Sequence, residues 1–359
     1  MKATQQLHDL GQSLWLDNIT RGLLTSGTLR HYIDDFSITG LTSNPSIFDL
    51  AIKNWNFYDD AIRQKGKEGK SGEALFFDLA IEDLRQAADL FRPAHKATDG
   101  MDGWVSLEVS PSLAYDTAST VKEAVQLHAR AQRPNLFIKI PGTMEGQGAI
   151  EEATFRGVPV NVTLLFSVGH YIAAAEAYLR GIERRIAAGL DPNVHSVASM
   201  FISRWDKAVM GKVPKELQDL LGIAIAKRTY KAYRDLLASP RWRKAASAGA
   251  PPQRLLWAST GTKDPKASDI LYIKALAAPD TINTKKTLLA FADHGALGKI
   301  LPEDGGDAES VIAAFAKAGI DDEQLAADLQ REGAESFVES WKDLLNCIGS
   351  KSATLKAAG

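Results

Sequence analysis

Residues 133–143 read RPNLFIKIPGT, and this stretch decides the fold. It contains a short apolar run, Leu136 to Ile140, that ends at a proline, which stops a strand because it has no backbone N–H to donate. Similar runs recur along the chain, each followed by a longer segment with apolar residues at helical spacing. The other predicted strands are Ser13 to Ile19, Ser37 to Asn44, Trp104 to Ser110, Pro159 to Phe166, Ser196 to Ile202, Leu255 to Thr260 and Asp280 to Thr284. This alternation predicts an α/β fold, a closed (β/α)8 barrel (TIM barrel) with extra N- and C-terminal helices.

Length and composition fit one such domain. The chain has 359 residues, of which 45% are apolar and 24% charged, so it can bury a large core. The length alone would equally allow two domains, but an α/β barrel routinely uses about 250 residues or more as one domain. We assign residues 1–348 to a single barrel domain. Its last apolar stripe, which includes Phe337, Trp341 and Ile348, is expected to pack on the barrel, and residues 349–359 are expected to form a mobile tail.

Charge and cysteine content narrow the class of partner. The net charge of −2 gives no positive field that would attract nucleic acid or an anionic membrane, so we expect a small-molecule partner. The single cysteine, Cys347, cannot form an intramolecular disulfide, which favours the cytoplasm. The N-terminal residues lack the apolar core of a signal peptide, and no apolar run reaches the roughly 18 residues of a membrane span. Both a monomer and a homodimer are compatible with the sequence.

Polar side chains alternate with apolar ones near the ends of the predicted strands. Successive side chains of a strand face opposite sides, so Lys139, between Ile138 and Ile140, is predicted to point into the barrel. The same alternation also directs Trp15 and Phe137 inward, where we expect them to fill the barrel. The other polar residues predicted to face inward are Asp17, Asn44, Glu108, Asn161, Thr163 and Ser199. They lie near strand C-terminal ends, where the active sites of barrel enzymes lie.

Each of these residues alone has a structural explanation. An interior Asn, Thr or Ser commonly satisfies neighbouring backbone groups, and a buried Glu and Lys can form a structural ion pair. Three ionisable groups at one barrel mouth, Asp17, Glu108 and Lys139, would cost several kcal/mol in desolvation. Their convergence therefore favours a functional site.

Lys139 suggests the chemistry of that site. A partly dry environment favours the neutral form of an amine, which adds to a ketone to form an imine; the protonated imine accepts electrons from a breaking C–C bond. Glu108, Thr163 and a water could move the protons of imine formation, and Asp17 could take a proton from a hydroxyl during cleavage. The residues that would orient sugar hydroxyls are Asn44, Asn161 and Ser199.

Several segments together resemble the transaldolase family. In family order they are WLDNITR (15–21), GLTSNPSIF (40–48), VSLEVSPSLAYDT (105–117), RPNLFIKIPGT (133–143), VPVNVTLLFS (158–167) and SMFISRWD (199–206). The resemblance implies transfer of a dihydroxyacetone unit between sugar phosphates in the non-oxidative pentose phosphate pathway. It implies that Lys139 is the Schiff-base lysine, Asp17 the acid/base at the sugar C4 hydroxyl, and Glu108 with Thr163 the group that activates the catalytic water. The substrate-binding residues that it implies are Asn44, Asn161 and Ser199 at the dihydroxyacetone unit, Phe201 as an aromatic wall and Arg204 at the phosphate.

One segment departs from the family pattern. Many members have a second phosphate-binding arginine after strand 7, where this chain reads WASTGTKDP (257–265), and we expect Lys263 to substitute for it. The alternative for Arg204 is a surface ion pair with Asp206. The histidines show no metal-ligand spacing, and His170 is expected on the surface. We expect no metal and no cofactor, because the lysine supplies the chemistry.

Two other functions are compatible with the sequence. A fructose 6-phosphate aldolase of the same superfamily would release the three-carbon unit to water rather than to a sugar. A barrel that serves as a non-enzymatic binding scaffold would carry an inert lysine.

Overall fold

The computed structural model of this chain describes residues 2–285 and 288–357. In these ranges, eight parallel strands close into a barrel in which each strand is hydrogen-bonded to the next along the chain and the last to the first. The strands are β1 (Ser13–Asp17), β2 (Ile38–Thr42), β3 (Val105–Glu108), β4 (Leu136–Pro141), β5 (Val160–Leu165), β6 (Ser196–Phe201), β7 (Gln253–Ala258) and β8 (Ile282–Lys285). Each overlaps the segment predicted for it, so the (β/α)8 barrel is confirmed.

Helices precede, connect and follow the strands. They are α1 (Ala3–Asp9), α2 (Arg21–Thr25), α3 (Thr28–Phe36), α4 (Pro45–Asn54), α5 (Asp59–Lys67), α6 (Gly72–Ala97), α7 (Thr117–Ala131), α8 (Met144–Phe155), α9 (Val168–Ala187), α10 (Ser203–Val209), α11 (Leu221–Ala238), α12 (Pro240–Ser247), α13 (Leu271–Ala275), α14 (Leu288–His294), α15 (Ala308–Lys317) and α16 (Asp322–Ala357). Through residues 2–285 and 288–357, no helix combines the length and apolar character needed to cross a membrane.

An aromatic layer fills the N-terminal half of the barrel interior. Trp104 stacks on Phe137 with ring centroids 4.0 Å apart, and Trp15 lies 6.1 Å from Phe137. The Trp15 indole N–H donates to Asp102 at 2.9 Å, so its polar atom is satisfied inside the protein. The expectation that Trp15 and Phe137 fill the barrel is confirmed, and the open end lies at the strand C-termini.

The turn after β2 fixes one polar side chain at that open end. Pro45 is the first residue of α4, where the missing N–H of a proline is no loss. Asn44 caps the helix, because its side-chain oxygen accepts from the Ile47 amide at 3.1 Å. Strand end, cap and helix start thus hold the Asn44 side chain at the barrel mouth.

The long helix α16 crosses back to the barrel and packs against α4, α5 and α6. Trp341 meets the Phe76 ring edge-on at 5.0 Å between centroids. Its indole N–H donates to Glu73 at 3.0 Å. The prediction that this C-terminal stripe packs on the barrel is therefore confirmed.

The expected mobile tail is instead part of α16, which continues through Ala357. Lys351 anchors this last part of the helix, because its ammonium donates to the carbonyls of Ile52 and Trp55, both at 2.7 Å. Leu355 is buried one turn further on. Mobility was expected because these residues form the end of the chain, but Lys351 and Leu355 contact the rest of the protein.

Candidate active site

A cavity of about 190 Å³ opens at the C-terminal ends of the barrel strands. Its walls come from the strand ends, from the turns that follow them and from one face of α16. The predicted site residues that line it are Asp17, Asn44, Lys139, Thr163, Ser199, Phe201 and Arg204. Strand alternation predicts the inward direction of five of these residues, Asp17, Asn44, Lys139, Thr163 and Ser199.

Lys139 and Glu108 form a buried pair at this end of the barrel. They lie opposite each other on β4 and β3, and the lysine Nζ donates to Glu108 Oε2 at 3.1 Å. It also donates to the carbonyl of Ser43 at 3.1 Å. Only 7% of the Lys139 side chain and 4% of the Glu108 side chain are exposed. Desolvation offsets much of the attraction in so dry a pair, which favours a chemical role over a purely stabilising one.

The Glu108 carboxyl is suited to proton transfer. Burial raises its pKa, the Lys139 ammonium opposes that rise, and the nearby Asp17 carboxylate adds to it. The second carboxyl oxygen, Oε1, is buried without a hydrogen-bond partner among the described residues. The Thr163 hydroxyl is buried and unpartnered in the same way. A substrate or a water molecule would satisfy both oxygens beside the lysine.

Asp17 lies in a different environment from Glu108. It ends β1, is paired in register with Thr42 of β2, and is half-buried at the cavity wall. Glu108, in contrast, is almost completely buried. Two carboxyl groups in unlike surroundings can take different acid and base roles in one site.

A chain of hydrogen bonds connects the amide and hydroxyl residues of β3, β5 and β6. Asn161 donates to the Ser106 hydroxyl at 3.1 Å and accepts from the Ser199 hydroxyl at 2.7 Å. Asn161 is fully buried and lies behind the cavity wall, whereas Ser199 lines the cavity. The structure therefore brings Asn161 next to the site but ties its amide to the two serines.

Phe201 and Arg204 form the wall at the end of β6. The Arg204 guanidinium lies 5.9 Å from the centre of the Phe201 ring. Burial lowers the pKa of Arg204, and the charge of Glu332 opposes this. The alternative, an ion pair between Arg204 and Asp206, is not observed among the described residues. The Asp206 carboxylate instead accepts from the backbone amides of Leu221 and Gly222 and from the Tyr272 hydroxyl.

Lys263 does not line the cavity. It is exposed in the segment between β7 and α13, so the structure does not bring it together with Arg204 in the cavity wall. The other residues that line the cavity were not predicted as site residues from the sequence: Thr42, Pro45, Ser46, Leu256, Ala258, Ser259, Thr284, Ser336, Phe337 and Ser340. The last three lie on α16, and helical spacing predicted only that this helix packs on the barrel, with no signal for which turn faces the mouth.

The described residues offer no ready metal site. Nowhere in residues 2–285 and 288–357 do three His, Cys, Asp or Glu side chains come together as a metal ligand set. The ionisable groups at the cavity are a lysine, two carboxyls and an arginine, a set suited to acid/base and carbonyl chemistry on an anionic substrate.

The closed barrel and the polar cavity at its C-terminal end define an enzyme of the (β/α)8 class. Residues 14–348 match the model of the family described as Transaldolase/Fructose-6-phosphate aldolase. A transaldolase of Arthrobacter sp. (strain FB24) is 42% identical over 99% of this chain and 99% of its own length. Transaldolases of Thermobifida fusca and Thiobacillus denitrificans are each 43% identical over 97% of this chain and over 98% and 100% of their own lengths. The chain belongs to the transaldolase family and is an enzyme with transaldolase activity.

Proposed function

We propose that this enzyme moves a dihydroxyacetone unit from a ketose phosphate to an aldose phosphate through an imine on Lys139. The donors are sedoheptulose 7-phosphate or fructose 6-phosphate, and the acceptors are erythrose 4-phosphate or glyceraldehyde 3-phosphate, as in the non-oxidative pentose phosphate pathway. The observation that carries the proposal is the Lys139 amine, which lines the cavity and lies 3.1 Å from a buried carboxyl oxygen.

Imine formation begins when the neutral amine of Lys139 adds to the C2 carbonyl of the donor. The carbonyl oxygen gains a proton and the nitrogen loses one, which gives a neutral carbinolamine. Its hydroxyl then takes a second proton and leaves as water, which gives the protonated imine. Glu108 is positioned to exchange these protons, since it contacts Nζ through Oε2 and has Oε1 available for a water. The Thr163 hydroxyl would hold that water.

Cleavage of the C3–C4 bond follows. Asp17 takes the proton of the C4 hydroxyl, a carbonyl forms at C4, and the electrons of the C3–C4 bond move into the imine to give an enamine on Lys139. The aldose phosphate leaves. Attack of the enamine carbon on the aldehyde of the acceptor reverses these steps, and water then releases the new ketose from the lysine.

Substrate binding uses the remaining wall residues. Ser199 and Asn44 face the dihydroxyacetone unit, and Asn161 holds the Ser199 hydroxyl. Arg204 binds the phosphate, because its guanidinium presents forked donors that match phosphate oxygens. Lys263 is exposed and is not part of the cavity wall, so Arg204 is the principal phosphate ligand in this proposal.

Borohydride trapping tests the covalent step. Wild-type protein is incubated with fructose 6-phosphate, reduced and digested, and the modified lysine is located by mass spectrometry. The expected product is a reduced three-carbon or six-carbon adduct on Lys139, absent in Lys139→Ala and present in the matched control Lys122→Ala, whose lysine is exposed on α7. A modification on a different lysine would refute the proposed mechanism.

A further inference from the structure

The strand that carries Thr163 has an irregular backbone at that residue. Val162 pairs with Ala198 of β6, but the next pair is Leu165 with Met200, so three steps along β5 oppose two steps along β6. The additional residue forms a β-bulge at residues 163–164, and Leu164 has φ of 60°. A bulge re-aims the neighbouring side chain, and this backbone conformation is unfavourable for a leucine, so surrounding contacts must hold it.

Gln330 of α16 supplies such contacts. Its Nε2 donates to the carbonyl of Leu164 at 2.9 Å and to the carbonyl of Gly142 at 3.1 Å. The Gly142 amide in turn donates to the carbonyl of Thr163 at 2.7 Å. One side-chain amide thus joins Gly142, the residue after β4, to the bulge at residues 163–164.

Helix α16 also packs closely against the bulge, at Gly333 and Leu164. A Cβ at Gly333 would lie 3.0 Å from the Leu164 side chain, so the glycine allows α16 this close approach. His170, which was expected on the surface, is half-buried here: its Nδ1 accepts from the Phe166 amide at 3.3 Å and lies 3.5 Å from Gln330 Nε2. The bulge is therefore held from α9 and α16 on its outer side.

We propose that Gln330 is a positioning residue for the reaction, acting through Thr163. By fixing the Leu164 and Gly142 carbonyls, it sets the direction in which the unpartnered Thr163 hydroxyl points beside Lys139. Gln330 does not line the cavity and contacts no substrate in the proposed function, on which this inference rests. Its effect is therefore on the proton transfers of imine formation and not on substrate binding.

The test compares Gln330→Ala and Gln330→Glu with Gln324→Ala. The ionised glutamate keeps the shape of the side chain but has no hydrogen to donate. Gln324 lies on the same helix and is exposed, and its side-chain amide donates to Asp328. Both Gln330 variants are expected to lower kcat and the rate of borohydride trapping about 10-fold, with KM for fructose 6-phosphate within twofold of wild type. Gln324→Ala should match wild type in kcat, in the rate of borohydride trapping and in KM. Thermal unfolding of each variant checks that it is folded at the assay temperature.

A second pair of variants separates positioning from general stabilisation. In a Thr163→Ala background, Gln330→Ala should cause no further loss of kcat, because the hydroxyl that it positions is gone. Equal losses from Gln330→Ala in both backgrounds, or wild-type kcat and trapping in folded Gln330 variants, would overturn the inference. Wild-type trapping at Lys139 with such a result would leave the proposed function standing, whereas no trapping in wild type would refute both.

Discussion

Among single residues, Asp17 and Glu108 differ in burial, whereas the sequence alone predicted only that both carboxyl groups face the barrel interior. Strand alternation predicts that Asp17, Glu108 and Lys139 converge, and Asp17 and Lys139 both line the cavity. Glu108 lies deeper and contacts the amine directly. The depth of each group depends on barrel curvature and on neighbouring strands, which the periodicity of one strand does not encode.

The two carboxyl groups are expected to serve different steps. Glu108→Gln should slow the trapping of the imine, since it removes the proton exchanger at Nζ. Asp17→Asn should still trap the imine at the wild-type rate but fail to cleave the C3–C4 bond. Each variant should lose about 100- to 10,000-fold in turnover. Rapid-quench borohydride trapping measures the first step, and equal trapping rates in wild type and both variants would contradict the division of roles.

Arg204 is expected to control affinity for the phosphate. Arg204→Ala should mainly raise KM for fructose 6-phosphate, because it removes binding that the ground state and the transition state share. It should also narrow the difference in kcat/KM between fructose 6-phosphate and fructose. Lys263→Ala is the matched control, and its effect should be smaller because Lys263 is exposed outside the cavity wall. Unchanged KM in Arg204→Ala would place the phosphate elsewhere.

At the scale of elements, the departures from expectation arise where distant segments meet. The alternation in VNVTLLF (160–166) follows the strand up to Thr163 and then fails, because the bulge turns both Leu164 and Leu165 towards the outer core. No local signal marks the partner of this bulge, which is contributed by α16 more than 160 residues later. The same helix carries Ser336 and Ser340 into the cavity wall for the same long-range reason.

A buried carboxyl of α10, which accepts from the first backbone amides of α11, gives the stability of the fold a dependence on pH. Asp206 accepts from the Leu221 and Gly222 amides and from the Tyr272 hydroxyl, and burial raises its pKa to about 6 despite these bonds. The folded state therefore holds this proton to a higher pH than the unfolded chain does. The stability due to protonated Asp206 is fully present below about pH 4 and is lost as the pH rises through about 6.

Asp206→Asn removes that titration while keeping the size of the side chain. The free energy of unfolding of wild type relative to Asp206→Asn should fall by about 2–3 kcal/mol between pH 4 and pH 7. Urea unfolding of both proteins at several pH values measures the difference. A constant difference across this range would mean that the Asp206 pKa is not raised in the folded protein.

At the scale of the whole molecule, one barrel accounts for the long match to the transaldolase family over residues 14–348. The closed barrel could be predicted because strands and helices alternate along the chain. The inward residues could be predicted because successive side chains of a strand face opposite sides. The course of α16 could not, since helical spacing identifies an apolar face without identifying its neighbour. That helix extends through Ala357 and completes the cavity.

The most direct measurement follows the three-carbon unit from donor to acceptor. Fructose 6-phosphate is supplied with and without erythrose 4-phosphate, and the products of wild type, Lys139→Ala and Lys122→Ala are separated and quantified. We predict sedoheptulose 7-phosphate and glyceraldehyde 3-phosphate in equal amounts from wild type and Lys122→Ala when the acceptor is present, and neither from Lys139→Ala. Release of free dihydroxyacetone at the same rate without the acceptor would identify an aldolase instead, and full transfer by Lys139→Ala would contradict the lysine mechanism.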